Sequence, residues 1–447
     1  MLCRCLAAEM ESAMSNSGKS FEKFLLLWSG ELISAIGSGI TSFGLGVYVY
    51  EQTGKVSSMA LVALLAFMPS LLLSAVAGVL ADRYDRRLLM VLGDSLSGVG
   101  LVFILICMLR GEVHLWQICL GVTISSVFSS LLDPAYKSTI TDLLAREQYT
   151  KASGLVQVAG SAKYLISPII AGFLLTISDI KLLLVVDICT FFVTVVSTLI
   201  VRNGLASKKC EQTRSFIREF KDGWGAVSEN RGVLILVIMT SAITFFLGFI
   251  QTLSTPLILA FANSSALGMV ETIAASGMLV TSVIIGILSI KRCYTKMFSV
   301  SLFCAGIFMT VFGLRENIVL ICVSGFLFFA MLPFANTSLD FLIRINIENS
   351  VQGRAWGIIG VISQLGFVVA YALSGVLADY VFTPLLLDGG AFADSVGKII
   401  GTGSGRGTGF LIIIAGVLLC VTSVILYHIK LVKNLESRGV YVLQNNS

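Results

Sequence analysis

Gly78-Val79-Leu80-Ala81-Asp82-Arg83-Tyr84-Asp85-Arg86-Arg87 places five charged side chains within six positions, between two long apolar runs. The flanking runs, residues 57–81 and 88–109, each exceed the ~20 residues that a helix needs to cross a bilayer. A basic turn this short between two such runs reads as one hairpin of a polytopic membrane protein. The rest of the chain agrees. Of its 447 residues, 56% are hydrophobic and 13% charged, against ~25% charged in ordinary soluble domains. Mean hydropathy is +0.92. So few charges cannot keep the surface of a soluble enzyme hydrated, and so much apolar content excludes disorder.

Apolar runs of spanning length recur twelve times, over residues 24–49, 57–81, 88–109, 113–133, 152–176, 180–201, 232–260, 266–290, 297–314, 317–340, 355–378 and 408–430. The fold class expected is all-α, with twelve transmembrane helices in two six-helix bundles. The longest gap, from Val201 to Gly232, is charged and divides the spans six and six. The expected organisation is a tail (1–23), a first bundle (24–201), a linker (202–231), a second bundle (232–430) and a tail (431–447). An even number of spans puts both termini on one side. Placing them in the cytoplasm sets 24 of the 31 Lys and Arg residues inside and six outside, with Lys163 within a span. In the linker, Phe216, Phe220, Trp224 and Val227 recur at near-helical spacing among Arg214, Arg218, Lys221 and Arg231. That pattern suits a helix in the inner membrane interface, and equally a simple tether.

Several other signals carry no chemistry. The net charge of +5 follows from the inner loops and points to no nucleic acid. Ten cysteines include no CxxC pair; Cys107, Cys119, Cys189, Cys304, Cys322 and Cys420 stand singly in apolar runs and read as small buried hydrophobes. His114 and His428 lie at span ends and cannot build a metal site. No cofactor is expected. Ser17-Gly18-Lys19-Ser20 imitates the end of a P-loop, but the first glycine would fall at Ala13 and no strand precedes it. Energy must then come from an ion gradient, or the process is downhill. The segment before Phe21 lacks the apolar core of a signal peptide, and Met14-Ser15-Asn16 is an alternative start.

Gly78-Val79-Leu80, Gly172-Phe173-Leu174, Gly286-Ile287-Leu288 and Gly375-Val376-Leu377 stand near the ends of spans 2, 5, 8 and 11, offset by 208 and 203 residues between halves. Four triplets at matching places point to nested inverted repeats, the architecture of rocking-bundle transporters. The decapeptide resembles the signature loop of the major facilitator superfamily, G-x-L-a-D-[RK]-x-G-[RK]-[RK]. With Asp85 in place of the usual glycine, it is similar to the branch holding macrolide-efflux and enterobactin-exporter permeases. The resemblance covers essentially the whole chain. It includes Asp133-Pro134-Ala135 before Asp142-Leu143, the Gln352-Gly353-Arg354 start of span 11, and the outer loop from Thr383-Pro384-Leu385-Leu386 to Gly401-Thr402-Gly403-Ser404-Gly405-Arg406-Gly407. The glycines of that loop lack the strand–turn–helix context of a dinucleotide fingerprint.

The resemblance implies roles for particular residues. Gly78 is expected to permit close helix approach. Asp82, with Arg83, Arg86 and Arg87, is expected to latch one conformation through a helix N-terminus or a neighbouring Arg. Ser167-Pro168-Ile169-Ile170-Ala171-Gly172 in span 5 is a degenerate form of the antiporter signature G-P-x-x-G-G, which implies export. Pro168 frees a carbonyl and kinks the helix, and Gly172 lets it pack tightly. The Arg that many antiporters carry in span 4 is absent.

Polar stripes mark the expected pathway. Glu31, Ser34, Ser38 and Thr41 share a face of span 1, and Thr123, Ser126, Ser130 and Asp133 a face of span 4. Span 7 carries Thr240, Thr244, Gln251 and Thr255; span 10 carries Asn336 and Asp340 after Phe326, Phe328 and Phe329. Spans 1, 4, 7 and 10 line the central cavity in this superfamily, although Ser and Thr stripes also serve as packing faces. Charges within spans are costly unless solvated or paired. The depths of Glu31 and Lys163 differ by ~6 Å at ~1.5 Å per residue, so a pair between them is expected, as a staple or as a protonation or substrate site. Asp340 is the next coupling candidate. Asp94 is expected to meet a loop Arg, and Asp187 and Glu271 to snorkel outward.

The function expected is a proton-coupled exporter of small amphiphilic compounds, macrolide-type drugs among them. Its partners would be protons, the substrate and the lipid bilayer of a bacterial inner membrane, with the monomer sufficient. One alternative is a dedicated exporter of an endogenous siderophore or peptide. Another, of a different class, is a receptor or assembly protein that does not transport.

Overall fold

Burial in lipid leaves a backbone no water to bond, so each apolar run closes its own hydrogen bonds as a helix. In the computed structural model, which describes residues 21–144, 148–202, 224–225, 227–229, 231–287, 293–347, 352–433 and 435–436, twelve helices have the length and composition to cross a membrane. Span 1 is Phe21–Thr53, span 2 Val56–Arg83 and span 3 Arg86–Arg110. Span 4 comes in two pieces, Leu115–Ser129 and Leu132–Leu143, as does span 5, Tyr149–Leu165 and Ser167–Ile177. Span 6 is Ile180–Arg202, span 7 Arg231–Leu259, span 8 Ser264–Ile287, span 9 Tyr294–Phe312 and span 10 Ile318–Arg344. Span 11 is Gln352–Leu377 and span 12 Ser404–His428. Both broken spans break just before a proline, Pro134 or Pro168, whose missing N–H interrupts the ladder. Span 11 continues beyond the expected residue 378, through a π turn, Ala378–Phe382, into Thr383–Leu386. Most of the linker lies outside the described residues, as does the tail holding Ser17–Ser20 and Met14; within the linker, Val227 is buried and Trp224 exposed.

Two compact units result, Met1–Leu45 with Leu65–Gln212, and Gly46–Leu64 with Thr213–Ser447. The turn joining spans 1 and 2 therefore groups with the second half of the chain, which its place in the sequence does not suggest. In unit 1, Phe24, Leu27, Met90, Ala135, Tyr136 and Leu143 form a buried core beside the decapeptide turn. Spans 3 and 4 cross where a Cβ on Gly121 would lie 2.7 Å from the Gly100 carbonyl. Ser97 shares hydrogen bonds with Ser125 (2.7 Å) and Ser129 (3.0 Å) at the same crossing. In unit 2, spans 7 and 11 approach at Gly248, whose added Cβ would lie 2.7 Å from that of Ala370. Spans 9 and 12 meet at Gly306 and Gly416. The glycines in the first turn of span 12 serve packing as well: a Cβ on Gly407 would meet Thr383, and one on Gly405 would meet Ala260. Leu72, Phe192, Ile287 and Val319 stand exposed, as a lipid-facing surface requires. The cysteines depart from expectation. Cys189 is exposed, and Cys107, Cys119, Cys304, Cys322 and Cys420 are only half-buried. Lipid is as apolar as a core, so a thiol gains nothing by turning inward.

Candidate functional site

Arg86 holds the decapeptide turn together. Its Nε donates to the Ala81 carbonyl at 3.2 Å, and its Nη1 to the Ser138 carbonyl at 3.2 Å and to Asp142 Oδ1 at 2.9 Å. A guanidinium suits this task because its planar fork serves three acceptors at once. Asp85 caps span 3 by accepting from the Arg87 N–H at 3.1 Å, and its other oxygen accepts from Arg202 Nε at 3.1 Å. The residue that replaces the usual glycine thus ties span 3 to the end of span 6. Arg87 is buried and Arg83 exposed. Asp82 stands in the last turn of span 2, with its side chain outside the described residues. Gly78 corrects an expectation: among the described residues, a Cβ there would meet nothing within 4 Å. Gly286 is equally open, whereas Gly375 closes tightly on Ser57.

The break in span 5 faces span 1. Ser167, in place of a signature glycine, donates its hydroxyl to the Ile36 carbonyl at 2.9 Å, and Pro168 and Gly172 are buried beside it. A Cβ on Gly39 would lie 2.9 Å from the Lys163 carbonyl, so Lys163 is level with Gly39. Glu31 is eight residues earlier in span 1, or ~12 Å along the helix. Accordingly no ion pair joins Glu31 to Lys163, although both are among the described residues. Lys163 acts instead on Asp187 of span 6.

Asp187 does not snorkel. It is 1% exposed and accepts from Ser38 Oγ at 3.5 Å and Thr190 Oγ1 at 3.4 Å, with Thr41 alongside. Nor does Asp94 meet a loop Arg. It too is 1% exposed, with Glu31 and Asp187 near enough for their charges to act on it, and neither of its oxygens has a hydrogen-bond partner. Glu31 in turn lies near Asp133 and the Tyr136 phenol. Unit 1 thus gathers three carboxylates from spans 1, 3 and 6 and one ammonium from span 5. A signal for the span 6 member was present: Asp187, Thr190, Thr194 and Ser197 follow the same 3-4-3 spacing as the stripe on span 1. The two stripes pack on each other, with Thr194 Oγ1 donating to the Gly30 carbonyl at 3.3 Å.

This packing changes what the stripes mean. Ser34 and Thr41 are buried and Ser38 is bonded to Asp187, so the span 1 face turns into unit 1. Ser126 and Ser130 are buried also, while Thr123 and Ser130 donate to carbonyls of their own helix. In unit 2, Thr244 donates to the Ser363 carbonyl of span 11, Thr240 bonds back to Val237, and Gln251 is half-buried. Asn336 and Asp340 are exposed one turn apart on span 10. Arg344, the next residue on that face, acts on Asp340 and lies over the Trp356 ring at 5.8 Å. Among the described residues no group of His, Cys, Asp and Glu is arranged to hold a metal.

The sequence profile of the Major Facilitator Superfamily matches residues 27–371. The chain belongs to that superfamily. It is similar to macrolide efflux protein A of Streptococcus pyogenes, 25% identical over 368 residues covering 80% of this chain and 89% of that one. It is also similar to the enterobactin exporter EntS of Shigella flexneri, 26% identical over 157 residues, 35% of this chain and 38% of the other. The crystal structure of the nucleoside transporter NupG matches with a TM-score of 0.69 at 13% identity, over 91% of this chain and all of NupG, which is a likeness of fold. As a superfamily member the chain is a transporter of small substrates and not an enzyme. Its twelve spanning helices and bacterial efflux relatives make it a multi-pass protein of the plasma membrane.

Proposed function

We propose that this transporter is a proton-coupled exporter of amphiphilic, macrolide-type molecules, working as a monomer with both termini cytoplasmic and bundles over 24–201 and 232–430. The observation that carries the coupling is the group Glu31, Asp94, Asp187 and Lys163. Charges so deep in an apolar bundle are expensive and mark ion pathways. Taking up or releasing a proton there changes the energy of the bundle enough to bias one conformation over another. Glu31 remains the first coupling candidate, now with Asp94 and Asp187 as its neighbours, and Asp340 is the candidate in unit 2. Likeness to a macrolide efflux protein over most of the chain supports the substrate class, and the Pro168-to-Gly172 element supports export. Asn336, Gln251 and Thr240, with Phe326 and Phe329 of span 10, offer the semi-polar lining that bulky ligands need. The shorter likeness to an enterobactin exporter favours a second reading, export of a siderophore.

Uptake of erythromycin into everted vesicles tests the proposal. A proton gradient should drive uptake by the wild-type chain. Glu31→Gln should abolish it while leaving downhill exchange largely intact. Normal uphill transport by Glu31→Gln would move the coupling to Asp340, and transport of a catecholate siderophore in place of erythromycin would establish the second reading.

A further inference from the structure

Span 2 begins without a cap of its own. The residue before Val56 is Lys55, which offers the first N–H groups of the helix no acceptor. The missing acceptor comes from the far end of the sequence. Asp379 Oδ1 accepts from the Val56 N–H at 3.0 Å and Asp379 Oδ2 from the Ser57 N–H at 2.8 Å. One carboxylate thus satisfies two donors at the positive end of the helix. One turn earlier in span 11, Gly375 lets the helices touch: a Cβ there would lie 2.5 Å from Ser57 Cα, 2.9 Å from Ser57 N and 3.0 Å from the Ala60 Cβ. Asp379 itself sits in the π turn Ala378–Phe382, a local widening of the kind often found at functional positions. This contact belongs to unit 2, which includes Gly46–Leu64 although the remainder of spans 1 and 2 belongs to unit 1.

We infer that Asp379 and Gly375 form a clasp on the tip of the span 1–span 2 hairpin, and that the clasp must release for the exit face to open. The inference rests on the exporter reading above, in which the tip lies on the face opposite the Arg83–Arg87 turn. In the clasped state the tip is part of unit 2; in the released state it rejoins its own half of the chain. Asp379 is a positioning residue in this scheme. It touches no substrate and acts through the first turn of span 2. Two charge-assisted hydrogen bonds to one helix end can be broken and remade as one event.

Pulsed electron spin resonance on the full chain in lipid nanodiscs tests the clasp. Spin labels go on Lys55 and Lys398, both exposed, in a background with all ten cysteines replaced. Asp379→Asn weakens the acceptor. Val56→Pro removes one donor from the other side, at the first helical position where proline is tolerated. Gly375→Ala opens the contact by a third route, pressing a new Cβ on the Ser57 backbone. Each should at least double the long-distance fraction, while Asp388→Asn, an exposed acid of the following loop, should leave it unchanged. Distributions that superimpose on the parent's for the folded variants, or an equal shift with Asp388→Asn, would overturn the clasp. No substrate is needed, so failure of the clasp and failure of the exporter reading show separately.

Discussion

Asp94 sits where a carboxylate is hardest to keep, buried against Glu31 and Asp187 with no donor for either oxygen. An unsatisfied buried polar group costs ~1–3 kcal/mol, so this arrangement persists against stability. Asp94→Asn keeps the shape but can neither take up nor release a proton. Its melting temperature in detergent should stay level or rise, while gradient-driven uptake of erythromycin into everted vesicles should fall at least tenfold. A lower melting temperature with transport intact would assign Asp94 to structure alone. At this scale the sequence was only partly legible. It shows that Asp85 departs from the signature, but not that the carboxylate serves Arg202, 117 residues away. It shows a charge at Lys163, but the partner depends on how far spans 1 and 5 slide past each other, which no local pattern records.

At the level of the helix, glycines divide into those a neighbour requires and those it ignores. Gly100 faces the Gly121 carbonyl, and its added Cβ would lie 2.9 Å from the Ser125 nitrogen. Gly160 in span 5 faces nothing within 4 Å. Gly100→Val should therefore yield little monodisperse protein, whereas Gly160→Ala should be tolerated and add up to ~1 kcal/mol through helix propensity. Size-exclusion profiles after graded heating would read both; equal behaviour of the two variants would contradict the packing described for spans 3 and 4. The break at Pro168 is readable from sequence, because the missing N–H interrupts the ladder there, yet Pro69, Pro256 and Pro333 stand inside continuous helices, so a proline alone does not decide where a span breaks. The π turn Ala378–Phe382 is not readable, because no local pattern in the sequence marks it.

For the molecule as a whole, transport depends on two arrangements exchanging, and Asp82 lies in the turn at one end of span 2 while Asp379 acts at the other. Asp82→Asn should slow transport yet leave equilibrium binding of erythromycin within about threefold, under ~1 kcal/mol. A large loss of affinity with normal exchange would place Asp82 in the binding site instead. The sequence by itself determined the number and order of the spans and the family. Lipid burial is a local demand, satisfied by ~20 apolar residues in a row wherever they occur. Which way each polar side chain turns was decided only in the tertiary structure. A 3-4-3 stripe looks the same whether it borders water or a neighbouring helix. Ser38 meets Asp187, Lys163 comes level with Gly39, and Asp379 reaches the start of span 2 because glycines set how closely and at what height distant helices cross.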